Sequence, residues 1–240
     1  MKIAILGTGM VGNALGTTLA QAGHQIMMGS RTANIDAGQE WLRSVGGKAQ
    51  IGTFADAAAF GEIILDCTNG ANSLGALRQA GAANLRGKIL IHVSNPLDFS
   101  KGMPPSLTVC NTDSLGEQIQ REFPDTRVVK ALNTVNCAVM VQPSLVPGDH
   151  NLFICGNDTA ARREVTDRLC EWLAGSPPTL LTWATSRTRA ARKCFSPFGC
   201  DCGAFWERRT STFMSFAHRK DLPCGVTLIA LGNIGSLRHR

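Results

Sequence analysis

The feature that most constrains this chain is a glycine-rich turn directly after its first apolar run. Residues Lys2–Leu6 form an aliphatic, β-branched stretch, and the hexapeptide GTGMVG follows at residues 7–12. From Met10 to Ala22 apolar residues recur with helical spacing, and a Gly-His break and a second apolar run follow. The pattern G-x-G-x-x-G between a strand and a helix predicts the start of a dinucleotide-binding βαβ unit.

Each glycine of this turn has its own task. Gly7 permits the tight turn, Gly9 lets the backbone approach a pyrophosphate, and Gly12 lets helix and strand pack closely. The helix N-terminus adds free N–H groups and the positive end of its dipole. The predicted pyrophosphate-binding residues are Gly7, Thr8, Gly9, Met10, Val11 and Gly12. A glycine-rich turn without a ligand is the alternative, but the flanking strands and helix favour a nucleotide site.

The end of the second predicted strand indicates which nucleotide is bound. An NAD site places Asp or Glu there to accept a hydrogen bond from the ribose 2′-hydroxyl. This chain has Ser30, Arg31 and Thr32 instead. Two hydroxyls and a guanidinium can all donate to a 2′-phosphate, which a carboxylate would repel. We therefore predict NADP(H) as the cofactor, with a solvated loop arginine as the alternative.

Strand and helix patterns alternate at short spacing as far as about residue 174. Such alternation predicts an α/β fold of Rossmann type, a doubly wound and mostly parallel sheet with helices on both faces. We assign residues 1–174 to one NADP-binding domain. From Gly175 onward no helical or alternating period is sustained, and residues 175–240 are assigned to an aberrant, poorly structured tail.

Polar residues follow two of the later strands, where ligands of open α/β sheets bind. Thr68 and Asn69 follow the run EIILDC, and Ser94 and Asn95 follow KILIHV. We predict that they flank the nicotinamide and its ribose, although Asn-Gly and Asn-Pro turns explain these residues equally well. Lys130 and Asn133 follow the same logic, with a structural role as the alternative.

The sequence offers no metal or nucleophile motif. His24, His92 and His150 lack partners at ligand spacing, and the Cys200–Cys202 pair is too short and isolated for zinc. Residues 1–175 carry fourteen Lys/Arg against fifteen Asp/Glu, whereas residues 176–240 carry ten against three. The net charge of +6 thus lies in the tail, which disfavours nucleic-acid binding. We also expect no signal peptide, no membrane span and a cytoplasmic location.

Four segments together resemble a known family. These are the N-terminal block, SNPLDFSKGMPPSL, NTDSLGEQIQREFP and VVKALNTVNCAVM, and the resemblance covers residues 1 to about 174. The chain resembles the NADP oxidoreductase, coenzyme F-420-dependent family, small reductases that move hydride between NADPH and a deazaflavin. The resemblance implies that Thr8 to Val11 hold the pyrophosphate and that Ser30 and Arg31 hold the 2′-phosphate. It also implies that Asn133 to Ala138 lie beside the nicotinamide.

The resemblance leaves the chemistry partly open. The expected partner is a small hydride acceptor, deazaflavin-like or otherwise, and no catalytic residue is assigned. Alternatives are an imine reductase of the pyrroline-carboxylate type, a non-catalytic NADP(H)-binding protein and an inactive truncated reductase. The assembly is left open between a monomer and a homodimer.

The tail departs from the family, and codon degeneracy suggests why. In the shifted reading frame, residues from Thr179 onward can encode DVIDLGDIT and then a long apolar segment that resembles the family's C-terminus. Our hypothesis is a frame slip between about Gly175 and Pro178, by mutation or by sequencing error, with a genuine divergent tail as the alternative.

We expect resequencing of the gene across these codons to reveal the slip. The restored chain should gain apolar cover over its pocket and aggregate less. An intact frame in a chain with full activity would contradict the hypothesis.

Overall fold

The computed structural model describes residues 1–33, 36–47, 49–147, 151–173 and 179–184. Eight strands form one sheet in the order β10-β9-β8-β5-β4-β1-β2-β3, and a two-stranded hairpin of β6 and β7 lies apart from it. The strands of the sheet are β1 Lys2–Leu6, β2 Gln25–Ser30, β3 Ala49–Thr53, β4 Ile63–Asp66, β5 Ile89–His92, β8 Arg127–Lys130, β9 Asn151–Gly156 and β10 Thr179–Ala184. The hairpin comprises β6 Leu97–Asp98 and β7 Ser106–Leu107.

The order confirms the predicted doubly wound α/β sheet. Strands β3, β2, β1, β4, β5 and β8 run parallel, so their carboxyl ends meet at one edge. Strand β9 is antiparallel to β8, and β10 is parallel to β9. The sheet is therefore mostly parallel, as the sequence predicts.

Strand β10 lies within residues 175–240, the segment that the sequence analysis assigns to the tail. Residues Thr179–Ala184 pair in register with Asn151–Gly156 of β9, and the domain boundary at about 174 stays a prediction. A sheet edge can recruit a six-residue segment through backbone hydrogen bonds alone, without a strong side-chain period. The remaining predictions for the tail, residues 185–240, fall outside the described residues, as do those for His150, Cys200 and Cys202.

Helices cover both faces of the sheet. They are α1 Met10–Gln21, α2 Asp36–Val45, α3 Phe54–Phe60, α4 Ser73–Ala80, α5 Ala82–Leu85, α6 Leu115–Glu122, α7 Cys137–Val141 and α8 Thr159–Leu173. Helices α1, α2, α7 and α8 pack on one apolar cluster, and α3 to α6 pack on a second. Residues alternate between the clusters along β1, with Ile3 and Ile5 in the first and Ala4 and Leu6 in the second.

Strands β4 and β5 are buried over their whole length, as expected for central strands with helices on both faces. Each ends in an ionisable residue, Asp66 in β4 and His92 in β5, and both are fully buried. A buried charge or imidazole at the end of a central strand needs a polar partner. The polar partners of Asp66 and His92 are therefore expected at the carboxyl edge of the sheet.

Two local features were not predicted from the sequence. One is the β6–β7 hairpin, whose turn exposes Phe99 and Met103. The other is the short helix α7, which contacts α1. Both follow the strand ends of β5 and β8, so they lie next to the predicted ligand crevice.

Candidate cofactor site

The glycine turn after β1 has the geometry that a bound pyrophosphate requires. Gly7 has φ +113°, and a Cβ there would lie 2.8 Å from the backbone oxygen of Cys67. A Cβ on Gly12 would lie 2.1 Å from the backbone oxygen of Gly7, whereas one on Gly9 would meet nothing within 4 Å. Gly7 and Gly12 are therefore required by the protein's own packing. Gly9 faces open space, which leaves its backbone accessible to a ligand.

The N-terminus of α1 is available to an anion. Gly9 is the N-cap residue and provides no side-chain cap, and the Asn13 amide makes the first helical bond, to the Gly9 oxygen at 2.9 Å. The preceding N–H groups therefore point out of the helix without an intrahelical acceptor. Thr8 and Val11 are half-buried, and Met10 is 80% exposed. These residues, with their glycine neighbours, fit a diphosphate.

The residues after β2 divide into one inward and two outward side chains. Ser30 is buried, and its hydroxyl donates to the Thr32 backbone oxygen. Arg31 and Thr32 are exposed, and no ion pair of Arg31 occurs within the described chain. Arg31 is thus free to meet a phosphate, whereas Ser30 must rotate its hydroxyl before it can donate to one. Their roles in binding stay predictions.

The ends of the parallel strands are joined through contacts between their turns. The Gly7 amide donates to the Gly29 oxygen of β2 at 2.9 Å, and Gly7 also abuts Cys67 after β4. A Cβ on Gly70 would lie 2.1 Å from the Asn95 backbone oxygen, so the turns after β4 and β5 touch. The Asn95 side-chain amide donates to the Asn133 oxygen after β8 at 2.8 Å. One continuous edge thus brings together the residues predicted from five separate strand ends.

Thr68, Asn69 and Ser94 all make bonds within this edge. The Thr68 hydroxyl donates to Asp66 Oδ1 at 2.6 Å and lies 3.0 Å from Ser73 Oγ. The Asn69 side chain accepts from the Ala71 amide, and the buried Ser94 hydroxyl bonds the Thr68 backbone oxygen. Ser94 therefore fixes the turns against each other, while half-buried Thr68 and exposed Asn69 are open to a ligand.

The segment after β8 reaches the same edge. Asn133 is half-buried, and its amide lies 3.4 Å from Asn95 Oδ1. Asn136 begins α7 by accepting the Ala138 amide at 2.9 Å, and Ala138 itself is exposed. Helix α7, which includes Ala138, contacts α1, the helix that follows the glycine turn. The position of Asn133 to Ala138 beside the nicotinamide stays a prediction.

Sequence reasoning missed a buried polar row beneath this edge. Asp66, His92 and Lys130 are paired in register on β4, β5 and β8, and all three are buried. His92 Nδ1 lies 2.9 Å from Asp66 Oδ2, and the Lys130 ammonium donates to the Ser94 backbone oxygen. His92 thus has a carboxylate partner that sequence spacing did not reveal. The available signal was that three buried strand patterns each end in an ionisable residue.

Burial sets the protonation of this row. It lowers the pKa of Lys130 to about 7, although the Asp66 and Cys155 charges act to raise it. Burial and the Lys130 charge lower the pKa of His92 to about 4, so the imidazole is neutral near pH 7. Burial raises the pKa of Asp66, but hydrogen bonds from His92 and Thr68 outweigh this and hold it below its ordinary value. Near neutral pH the row therefore holds a carboxylate, a neutral ring and a titrating amine.

Comparison with known proteins agrees with this geometry. Residues 2–96 match the model of the family described as NADP oxidoreductase, coenzyme F420-dependent. A crystal structure from Arthrobacter sp. FB24, of a protein described as an F420-dependent NADP-reductase, is 43% identical with a TM-score of 0.74. The match covers 87% of this chain and 92% of that one. The chain belongs to this NADP oxidoreductase family.

More distant structures share the fold. A hypothetical protein from Sinorhizobium meliloti is 21% identical, with a TM-score of 0.65 over 82% of this chain and 92% of that one. An imine reductase from Myxococcus stipitatus in complex with NADP+ is 18% identical, with a TM-score of 0.58. That match covers 90% of this chain and 64% of the imine reductase. A comparison with functionally curated proteins gives no significant match.

Membership of the family makes NADP(H) the cofactor class of this site. Within the described residues, no group of three or more His, Cys, Asp or Glu side chains is arranged to hold a metal ion. The helices in the same part of the chain are all too short or too polar to cross a membrane. The site is therefore described by its glycine turn, its strand ends and the row beneath them.

The two glycines of the turn should respond differently to alanine. We expect Gly12→Ala to lower the free energy of unfolding by about 3 kcal/mol, because its Cβ meets the Gly7 backbone. Gly9→Ala should leave the free energy of unfolding nearly unchanged and weaken NADPH binding, since its Cβ occupies the open side of the turn. Denaturant unfolding and fluorescence titration measure the two effects. Equal unfolding losses in both variants would contradict the model of the turn.

Lys130 should make stability depend on pH. The ordinary pKa of 10.5 applies in the unfolded chain and a pKa of about 7 in the folded one, so unfolding takes up a proton between these values. The free energy of unfolding should therefore rise with pH across this window, by at most about 1.4 kcal/mol per pH unit from this group. We expect Lys130→Met to lose this slope and the exposed-lysine control Lys101→Met to keep it. Identical slopes in both variants would show that Lys130 keeps its ordinary pKa.

Proposed function

We propose that the chain transfers hydride between NADPH and a deazaflavin or similar planar acceptor at the carboxyl edge of the sheet. The observation that carries the proposal is exposed Arg31 together with the uncapped N-terminus of α1. Arg31 follows two residues after Gly29, whose oxygen accepts from the Gly7 amide of the glycine turn. Family membership supports the oxidoreductase class. The 43% identical Arthrobacter protein, described as F420-dependent, supports the acceptor class.

The residues of the chain supply binding and orientation. The first N–H groups of α1 would neutralise the diphosphate, and Arg31 with Thr32 would bind the 2′-phosphate. Half-buried Thr68 and Asn133 would orient the nicotinamide end, with Asn95 holding the Asn133 segment in place. When bound, NADPH supplies the hydride itself. The protein contributes by fixing the two reactants and excluding water from between them.

The acceptor class is consistent with the side chains that reach the crevice. Thr68, Asn95 and Asn133 are poor proton donors. The Asp66 carboxyl is ionised near neutral pH, and the Lys130 ammonium is buried and hydrogen-bonded within the protein. Hydride transfer to a deazaflavin needs no strong general acid from the protein. Reduction of an imine benefits from a proton donor in the crevice. Imine reduction is the second candidate because the chain shares its fold with imine reductases. It ranks below deazaflavin reduction because it benefits from a proton donor in the crevice.

Replacement of Arg31 tests the nucleotide assignment. We expect Arg31→Gln to weaken NADPH binding at least about tenfold, because one charge-assisted hydrogen bond contributes roughly 1.5–3 kcal/mol. NADH lacks the 2′-phosphate, so its affinity should stay unchanged. Fluorescence titration with both nucleotides measures this. Arg86→Gln is the matched control, since exposed Arg86 pairs with Asp125 in the turn before β8, at the opposite edge of the sheet.

Different results test the role of Arg31 and the identity of the acceptor. Equal loss of affinity for both nucleotides, or equal wild-type affinity for NADPH and NADH, would contradict the role of Arg31. Loss of NADPH absorbance with coenzyme F420, but not with a cyclic imine, would support the proposed acceptor. The reverse result would favour the imine reductase.

A further inference from the structure

The buried row beneath the crevice holds two opposite charges that do not pair directly. Asp66, His92 and Lys130 are Cα partners on three neighbouring strands, and their side chains are 0%, 0% and 3% exposed. Asp66 and Lys130 are two strand spacings apart, so their Cα atoms are separated by about 10 Å. Residues in one register row point to the same face of the sheet. The row therefore carries a negative pole on β4 and a positive pole on β8.

His92 keeps the poles apart. Its Nδ1 bonds Asp66 Oδ2 at 2.9 Å, while its buried Nε2 has no hydrogen-bond partner among the described residues. A ring between the two charges blocks direct contact of ammonium with carboxylate. A purely structural pairing would bring the charges together, because an unpaired buried charge is costly. The observed separation thus points to a use of each charge elsewhere.

Each charge lies one hydrogen bond beneath the crevice. Asp66 Oδ1 accepts from the Thr68 hydroxyl and, at 3.2 Å, from the Thr68 amide. Lys130 donates to the backbone oxygen of Ser94, the residue before Asn95. These are the two turns predicted to flank the nicotinamide. Buried charges this close to a site are poorly screened by solvent, so their fields reach a bound ring.

The two redox states of the cofactor differ in charge at that ring. The oxidised nicotinamide is positive and the reduced one is neutral. We propose that Asp66 and Lys130 set the relative affinity of the site for NADP+ and NADPH, with Asp66 favouring the oxidised form and Lys130 the reduced form. The inference rests on the proposed function. Because the row is fixed in the sheet, it biases the direction of hydride transfer without touching the reacting atoms; its members are positioning residues.

The test is the ratio of the two dissociation constants in charge-neutral variants. At about pH 6, between the pKa values of His92 and Lys130, both poles are charged. We expect Asp66→Asn to weaken NADP+ relative to NADPH by about tenfold, and Lys130→Met to strengthen it by a similar factor. Calorimetric or fluorescence titration gives both constants. A structural defect would weaken both ligands together, whereas the proposed field moves the ratio in opposite directions.

Matched controls lie near the opposite edge of the sheet. Lys88 immediately precedes β5, and its ammonium also donates to a backbone oxygen, that of Ala58 at 2.7 Å. Asp125 lies in the turn before β8. Lys88→Met and Asp125→Asn change the net charge equally but should leave the ratio unchanged. A shift of the ratio in the controls as large as in the row would overturn the proposal.

A measurement on the unaltered chain tests the proposal even if the variants fail to fold. The charges of Asp66 on β4 and Cys155 on β9 act to raise the pKa of Lys130, and the Lys130 charge lowers the pKa of His92 on β5. Raising the pH from about 6 to about 9 removes the Lys130 proton and should favour NADP+ over NADPH by about tenfold. The 2′-phosphate is common to both ligands, so its titration cancels in the ratio. The same pH change should not move the ratio in Lys130→Met, where that variant folds.

The remaining outcomes are decisive. Binding of both nucleotides with a ratio that neither the variants nor pH alters would overturn this inference alone. Binding of neither nucleotide by the unaltered chain would overturn the proposed function and this inference together.

Discussion

The close approach of backbone segments at the carboxyl edge is the constraint on which the rest of the structure depends. Helix α1 can start directly above β1 only because Gly12 has no side chain, since a Cβ there would overlap the Gly7 oxygen. A Cβ on Gly7 would likewise lie 2.8 Å from the Cys67 oxygen, and one on Gly70 would lie 2.1 Å from the Asn95 oxygen. Any side chain at these positions would separate the strand ends. The shape of the crevice therefore depends on these three glycines as well as on the side chains around it.

This edge combines two kinds of electrostatics. Above it, uncapped N–H groups of α1 and exposed Arg31 offer positive charge to an anionic ligand. Beneath it, Asp66 and Lys130 hold separated charges in surroundings from which solvent is excluded. The upper groups are suited to affinity, because they meet phosphates. The lower groups are suited to discrimination between redox states, because they act on a ring whose charge changes during the reaction.

Family membership and the site geometry support each other without being the same evidence. The family model matches residues 2–96, which end one residue after Asn95. The contacts of Lys130, Asn133 and α7 lie beyond that range. In the structure, the contacts of both parts of the chain meet at the ends of the same parallel strands.

The sequence by itself determined the fold class, the glycine turn and the choice of NADP(H), because periodicity, glycine spacing and Ser30-Arg31 are local signals. It did not reveal the Asp66–His92–Lys130 row, since residues 26 and 38 positions apart become neighbours only when β4, β5 and β8 align in register. It also missed β10, whose pairing depends on an available sheet edge and not on its own pattern. Tertiary structure alone decided that Ser30 and Ser94 turn inward while Arg31 stays exposed, because burial depends on neighbours distant in the chain.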